Sequence, residues 1–201
     1  MKTINKQIRL AAVLTVFTLI TTATFAQDNL NTETTIKRKG FIFEFTLGAG
    51  FIGIEDSQGT QTFDKFEGGI SFPELKFGHM LNDNLAITVS MPGKIYEFQE
   101  NDRHFGVFVP SVQYWIKDRW WIHGGIGLAV DGPALYDIKE NVNDDWNFGG
   151  AVMASTGYEF YKKKNFAMNV QSKLVMGTAY LDGDAQRDAV TFSIGIGFSW
   201  F

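Results

Sequence analysis

From residue 40 to residue 201, apolar and polar positions alternate with a period of two. In 190–201, Val190, Phe192, Ile194, Ile196, Phe198 and Trp200 alternate with Thr191, Ser193, Gly195, Gly197 and Ser199. Side chains on a strand point to opposite faces in turn, so one face here is aromatic and aliphatic and the other small or polar. Seven earlier segments show the same pattern. The first, 41–54, sets Phe41, Phe43, Phe45, Leu47, Ala49 and Phe51 against Glu44, Thr46, Gly48 and Gly50. The others fall near 66–80, 85–98, 104–116, 120–130, 146–161 and 166–180. Apolar parity changes at Pro73 and again near Pro110, which predicts β-bulges at both. Pro92 has no such slip and, with Gly93, marks a kink or an early strand end.

The connections alternate in length. Tight turns at 81–84, 117–119 and 162–165 are separated by longer links at 55–64, 97–103, 131–145 and 181–188. A glutamate in mid-segment, such as Glu44, is costly against lipid, so the glycine-and-charge face turns inward and the greasy face outward. The predicted fold is all-β, an eight-stranded antiparallel up-and-down transmembrane β-barrel. An even strand count with short turns on one side places both termini in the periplasm. An apolar final strand fits the closing strand of such a barrel. No stretch after the leader has ~18 consecutive apolar residues, which excludes helical spans.

Composition sharpens this picture at three points. Lys2, Lys6 and Arg9, then an uncharged run over 10–20, then Thr24-Phe25-Ala26, read as a secretory signal peptide over 1–26. Polar residues 27–39 read as a flexible periplasmic lead-in, and 40–201 as the barrel. Loss of the three leader cations takes the formal charge from −4 to −7, which argues against nucleic acid as a partner. The absence of cysteine excludes a lipid anchor on a cleavage-site cysteine, a disulfide framework and a thiolate metal site. Glycine (21) and phenylalanine (19) are both abundant, as suits a sheet bulky on one face and bare on the other.

The leader, eight amphipathic segments, alternating turns and loops, and the aromatic end Phe198, Trp200, Phe201 resemble the small outer-membrane β-barrel family of OmpX and the OmpA membrane domain. Members of that family usually carry the terminal phenylalanine in phase with the lipid-facing row. Here Trp200 is in phase and Phe201 is one step out. The resemblance implies a Gram-negative outer-membrane location, with lipid including lipopolysaccharide as surroundings and other outer-membrane proteins as candidate partners.

An eight-stranded barrel is just wide enough to be filled by side chains. Trp115, Trp121 and Tyr96, lying over inward glycines such as Gly157 and Gly197, predict a plug and not a pore. Glu44, Lys94, Gln113, His123, Glu159, Gln171 and Lys173 are assigned to an internal polar network, with Lys173 neutralising at least one inward glutamate. Tyr114, Trp120, Tyr158 and Trp200 at one end, and Trp146 and Tyr180 at the other, are assigned to aromatic girdles at the lipid–water boundary.

The long loops are acidic, with Glu55, Asp56, Asp64, Glu100, Asp102, Asp137, Glu140, Asp144, Asp145, Asp182, Asp184 and Asp188. None of these runs has the full spacing of a calcium loop, so neither metal nor cofactor is expected. The GxG triplets at 48–50, 125–127 and 195–197 precede no helix and match one sheet face, which excludes a nucleotide loop. His79 and His123 lie toward the periplasmic turns, the wrong side for a substrate in the outer leaflet, and His104, near Asp102, has no serine nearby in sequence, so no catalytic residue is assigned. The expected role is structural, or surface binding and adhesion through the acidic loops. Membership of a larger outer-membrane assembly is one alternative. Another is a lipid A-modifying enzyme, an acyltransferase or deacylase.

Overall fold

The computed structural model describes residues 38–57, 64–71, 73–134, 136, 145–182 and 185–201. The predicted signal peptide and residues 27–37 of the lead-in lie outside the described residues. The barrel belongs to the unit formed by residues 35–201. Its strands are β1 (Phe41–Ser57), β2 (Asp64–Ile70), β3 (Glu74–Asn82), β4 (Leu85–Met91), β5 (Gly93–Phe98), β6 (Asn101–Trp115), β7 (Trp120–Pro133), β8 (Asn147–Lys163), β9 (Phe166–Tyr180) and β10 (Gln186–Trp200). Every ladder is antiparallel, and β10 pairs with β1 to close the sheet. β2 with β3, and β4 with β5, each act as one interrupted barrel strand, so the ring has eight.

The register defines the dimensions of the ring. From Phe41 the pairing runs through His79, Ile87, Val112, Gly124, Ala154, Leu174 and Phe192 and returns to β1 at Phe51. The walk comes back ten residues along its starting strand, a shear of ten for eight strands. With ordinary strand spacing and rise, that shear tilts the strands by about 40° and gives a radius of about 8 Å. Such a ring holds side chains and little else.

Burial alternates along nearly every strand. Outward residues include Phe51, Ile87, Val112, Ile122, Leu128, Val152, Val170, Ile194 and Ile196, all large and exposed, and Ile126 is 75 % exposed. A belt of this kind around a sealed ring has no counterpart in a water-soluble surface. It matches the apolar band of a membrane barrel. Near the short turns the belt ends in rings. Phe43 packs on Phe77 (5.3 Å) and Trp200 (5.5 Å), and Trp200 also lies 5.2 Å from Phe166.

Three expectations about strand irregularity are revised. At Pro73 the inward parity does change, from Ser71 to Glu74, but through a break between β2 and β3 and not through a bulge. At Pro110 there is neither bulge nor slip. Register on both flanks of β6 is unchanged, and Phe105, Val107 and Val109 face inward in phase with Ser111 and Gln113. Register shifts do occur in β3, between Met80 and Asn82, and in β8, between Glu159 and Tyr161. Pro92 separates β4 from β5 without changing parity, and its carbonyl accepts from the Val107 amide (3.0 Å). The predicted long link 97–103 is a tight hairpin: Phe98 pairs with Asn101, and Gln99 and Glu100 have φ of 50° and 64°, as a two-residue turn of this hand requires.

Candidate functional site: the filled interior and a seam in its wall

The seven residues assigned to a polar network are all buried, and the ladders show how they are brought together. Glu44 on β1 stands directly across from Lys76 on β3, and their charged atoms lie 2.8 Å apart. Gln171 donates to Glu44 (3.0 Å), Asn169 donates to the same carboxylate (3.1 Å), and so does Ser199. Lys76 also donates to Gln113 (2.8 Å) and lies 4.7 Å above the Trp121 ring. The buried carboxylate is thus surrounded by donors, which offsets the cost of removing it from water. Lys173 pairs with Glu74, a residue absent from the predicted set.

Both ends of the interior are closed. At the short-turn end Glu159 accepts from Trp115 Nε1 (2.7 Å) and from Arg38 (2.6 Å). Arg38 stacks over Trp115 at 4.7 Å, and Phe201 packs edge-on to Trp115 at 5.9 Å. The out-of-phase Phe201 is therefore an inward plug residue. Arg38, at the end of the predicted lead-in, is bound into the barrel base.

At the long-loop end Arg187 forms a two-point pair with Asp56 (2.6 and 2.7 Å) and a further pair with Asp131 (2.9 Å). Arg103 also reaches Asp131 (3.0 Å), and the Tyr96 hydroxyl donates to it (2.5 Å). Between the closures sits an apolar layer that the alternation did not predict, including Ile52, Phe105, Val107, Val109, Met153 and Val175. The expected plug is there. A Cβ on Gly157 would meet Trp121 at 2.3 Å, so only glycine leaves room for that indole.

The other candidates separate cleanly. Tyr114, Trp146, Tyr180 and Trp200 are exposed on the outer wall, with Trp120 and Tyr158 half-buried there. Among the acidic loop residues, Asp56 is turned inward onto Arg187. Asp102 accepts from Tyr136 and Asp188 from Thr178. Asp137, Glu140, Asp144 and Asp184 lie outside the described residues. His79 is exposed, and His104 lies over Gly93 and Gly106. His123 does have hydroxyl neighbours in space, Thr88 at 2.9 Å and Ser155 at 3.1 Å, because Ser155 is its ladder partner on β8. It is buried, and among the described residues its ring bonds to these two hydroxyls, the arrangement of a packed hydrogen-bond group.

The wall is incomplete at one place. β3 and β4 form a ladder in the short-turn half, but among the described residues β2 pairs only with β1, and β5 only with β6. Side chains span the gap instead. Lys94 Nζ donates to the Gly69 carbonyl (2.8 Å), Lys65 reaches Glu97 (3.3 Å) and Glu67 (2.6 Å), and the Glu97 amide donates to Glu67 (3.1 Å). Prolines 73 and 92 lie at its base, where each removes an amide donor.

A ring of eight tilted strands, apolar outside and filled with paired charge inside, is an eight-stranded transmembrane β-barrel of the outer-membrane type. No family model matches the sequence, and a comparison with curated proteins found no match. Among solved structures, the chain is similar to Neisserial surface protein A (TM-score 0.48, 14% identity, covering 80% of this chain and 96% of that one). It is also similar to Ail, the attachment invasion locus protein of Yersinia pestis (0.47, 13%, 81% and 99%). A third likeness is to the outer membrane protein AlkL in lipid bilayers (0.46, 12%, 87% and 95%).

Proposed function

We propose that this chain is a sealed outer-membrane barrel whose role is structural and whose contacts with other molecules are made by its loop end and outer wall. The supporting observation is closure of the interior at both ends, by Arg38–Glu159–Trp115 below and Arg187–Asp131–Arg103 above. Two cavities beside the seam are each about 20 Å³, room for a single water. In this reading the leader ends at Ala26, the short turns and both termini face the periplasm, and the long loops face outward beside lipopolysaccharide. Glu55, Asp64, Glu100, Asp145 and Asp182 are exposed at the loop end, a surface that favours a basic partner.

The test is conductance across a planar bilayer containing the purified barrel. The expected trace is indistinguishable from lipid alone; stepwise ion currents would overturn the sealed-lumen reading. A lysine-rich peptide should bind vesicles carrying the barrel and dissociate as salt rises. Salt-independent binding, or none, would remove the acidic loops from the proposal.

A further inference from the structure

The charge of the molecule is divided between its ends. Exposed acids gather at the loop end, whereas the turns after β6 and β8 carry Lys117, Arg119, Lys162, Lys163 and Lys164 against one acid, Asp118. That acid is taken up by Lys162, which is buried and reaches it at 2.6 Å. The two turns are tied together at this point. Lys162 and Arg38 both donate to the Asp118 carbonyl, and Arg119 donates to the Glu159 and Phe160 carbonyls (3.4 Å each). Lys117, Lys163 and Lys164 are left exposed beside Arg119. Among the described residues, two further acids stand at neighbouring positions of this end. One is the carboxylate of Phe201, whose amide donates to the Asn165 carbonyl (2.9 Å); the other is Asp83, in the turn whose Asn84 carbonyl accepts from the Trp115 amide (2.9 Å). Four cations against two acids leave this rim positive.

The register shift in β8 decides which way these cations face. It sets Phe160 and Tyr161 both on the outer wall, so that Lys162 turns into the barrel base and Lys163 outward. Lys163 stands directly across from Phe166, and Phe166 lies 6.2 Å from Tyr161 and 5.2 Å from Trp200. On the neighbouring strands Tyr114 and Ile116 are exposed just before Lys117, and Trp120 follows Arg119 on the wall. Cations therefore share a face with a row of rings at the end of the apolar belt, where hydrocarbon gives way to headgroups. An aqueous polyanion has no use for that juxtaposition, whereas a lipid with a charged head and acyl chains meets both parts of it. We propose that these two turns bind an anionic phospholipid of the phosphatidylglycerol class in the leaflet at the short-turn end. Its phosphate meets Lys163 and Arg119 in the field of Lys117 and Lys164, and its chains run along the wall over Tyr161, Phe160 and Trp120. This rests on the outer wall facing lipid, as argued above.

The experiment uses the barrel reconstituted in phosphatidylcholine vesicles with spin-labelled phosphatidylglycerol or spin-labelled phosphatidylcholine, and reads the motionally restricted fraction of each. Restricted phosphatidylcholine reports only that the barrel is in the bilayer, so failure of the membrane reading is distinguishable from failure of the site. The chain carries net negative charge, so without a local site anionic lipid would be disfavoured around it. Phosphatidylglycerol is expected to be selected over phosphatidylcholine, with the selectivity falling as salt rises. Lys163→Arg should retain the selectivity and Lys163→Gln reduce it roughly fivefold, the worth of one lysine at an anionic membrane surface. Lys117, Lys163 and Lys164 are exposed, so the triple variant with glutamine at all three folds, and it should lose the selectivity. Lys65→Gln, at the loop end, should keep it. Equal restriction of the two lipids, or unchanged selectivity in the triple variant, overturns the proposal. A loss as large in Lys65→Gln traces the effect to overall charge and overturns it too. Full displacement of the labelled phosphatidylglycerol by millimolar aqueous glycerol phosphate overturns the lipid as occupant.

Discussion

At the scale of single residues, the interior is built from groups that satisfy one another, and that dependence is measurable. Removing one member of a buried ion pair leaves the other charged without a partner, at about 3–5 kcal/mol. Glu44→Gln and Lys76→Met should each lower stability by that order in urea unfolding of the reconstituted barrel, and the double variant should recover a substantial part. Strict additivity would show that the two charges are not coupled. Lys173→Met should behave likewise and be rescued by Glu74→Gln; unchanged unfolding would detach Lys173 from the network. Gly157→Leu should cost about 1–3 kcal/mol, as overpacking against Trp121 does in a filled core. An unchanged midpoint would mean that the indole has room to move.

Individual inward residues were legible in the sequence, but their partners were not. Glu44 and Lys76 are 32 positions apart in the chain and meet only because β1 and β3 pair in one register. Glu74 and Lys173 meet across the lumen, a relation that no local pattern encodes. Asp56 and Arg187 looked like loop residues because both lie at strand ends, yet β1 and β10 extend far enough to set them side by side. His123 illustrates the same limit: its serine neighbour is 32 positions away and directly opposite on β8.

At the scale of strands, alternation located every barrel strand, and it failed where both faces are apolar. Residues 105–109 read Phe, Gly, Val, Phe, Val, a run with no polar phase, and a parity change at Pro110 was the simplest account of it. The structure keeps one phase and places Phe105, Val107 and Val109 in the interior apolar layer. Prolines 73 and 92 had the opposite fate. Each ends a strand, and together they lie at the base of the unladdered seam between β2 and β5. Side-chain bridges are weaker closures than a ladder, since exposed ion pairs contribute only about 0–1 kcal/mol. Amides of β2 should therefore exchange hydrogen at least about tenfold faster than those at the centres of β8 and β9, where ladders flank both sides. Uniform protection across the barrel would show the seam to be as firmly closed as the rest of the wall.

At the scale of the whole molecule, one distribution governs the fold: hydrocarbon-compatible side chains outside, paired polar and packed apolar groups inside. Ile126, near the middle of β7 and 75 % exposed, is the position at which this bears most directly on stability. Ile126→Arg should destabilise the barrel in bilayers by about 2–4 kcal/mol, as charge on the lipid face near the midplane does. A neutral effect would place that face in water. The chain contains no cysteine, so single cysteines can be introduced one at a time from 124 to 130 and spin-labelled without background. The most direct measurement is the accessibility of each label, in reconstituted bilayers, to oxygen and to a water-soluble nickel complex. Labels at 126 and 128 should collide with oxygen and not with nickel, while those at 125, 127 and 129 meet neither. Nickel access at 126 and 128, or oxygen access at the odd positions, would contradict a filled barrel standing in lipid.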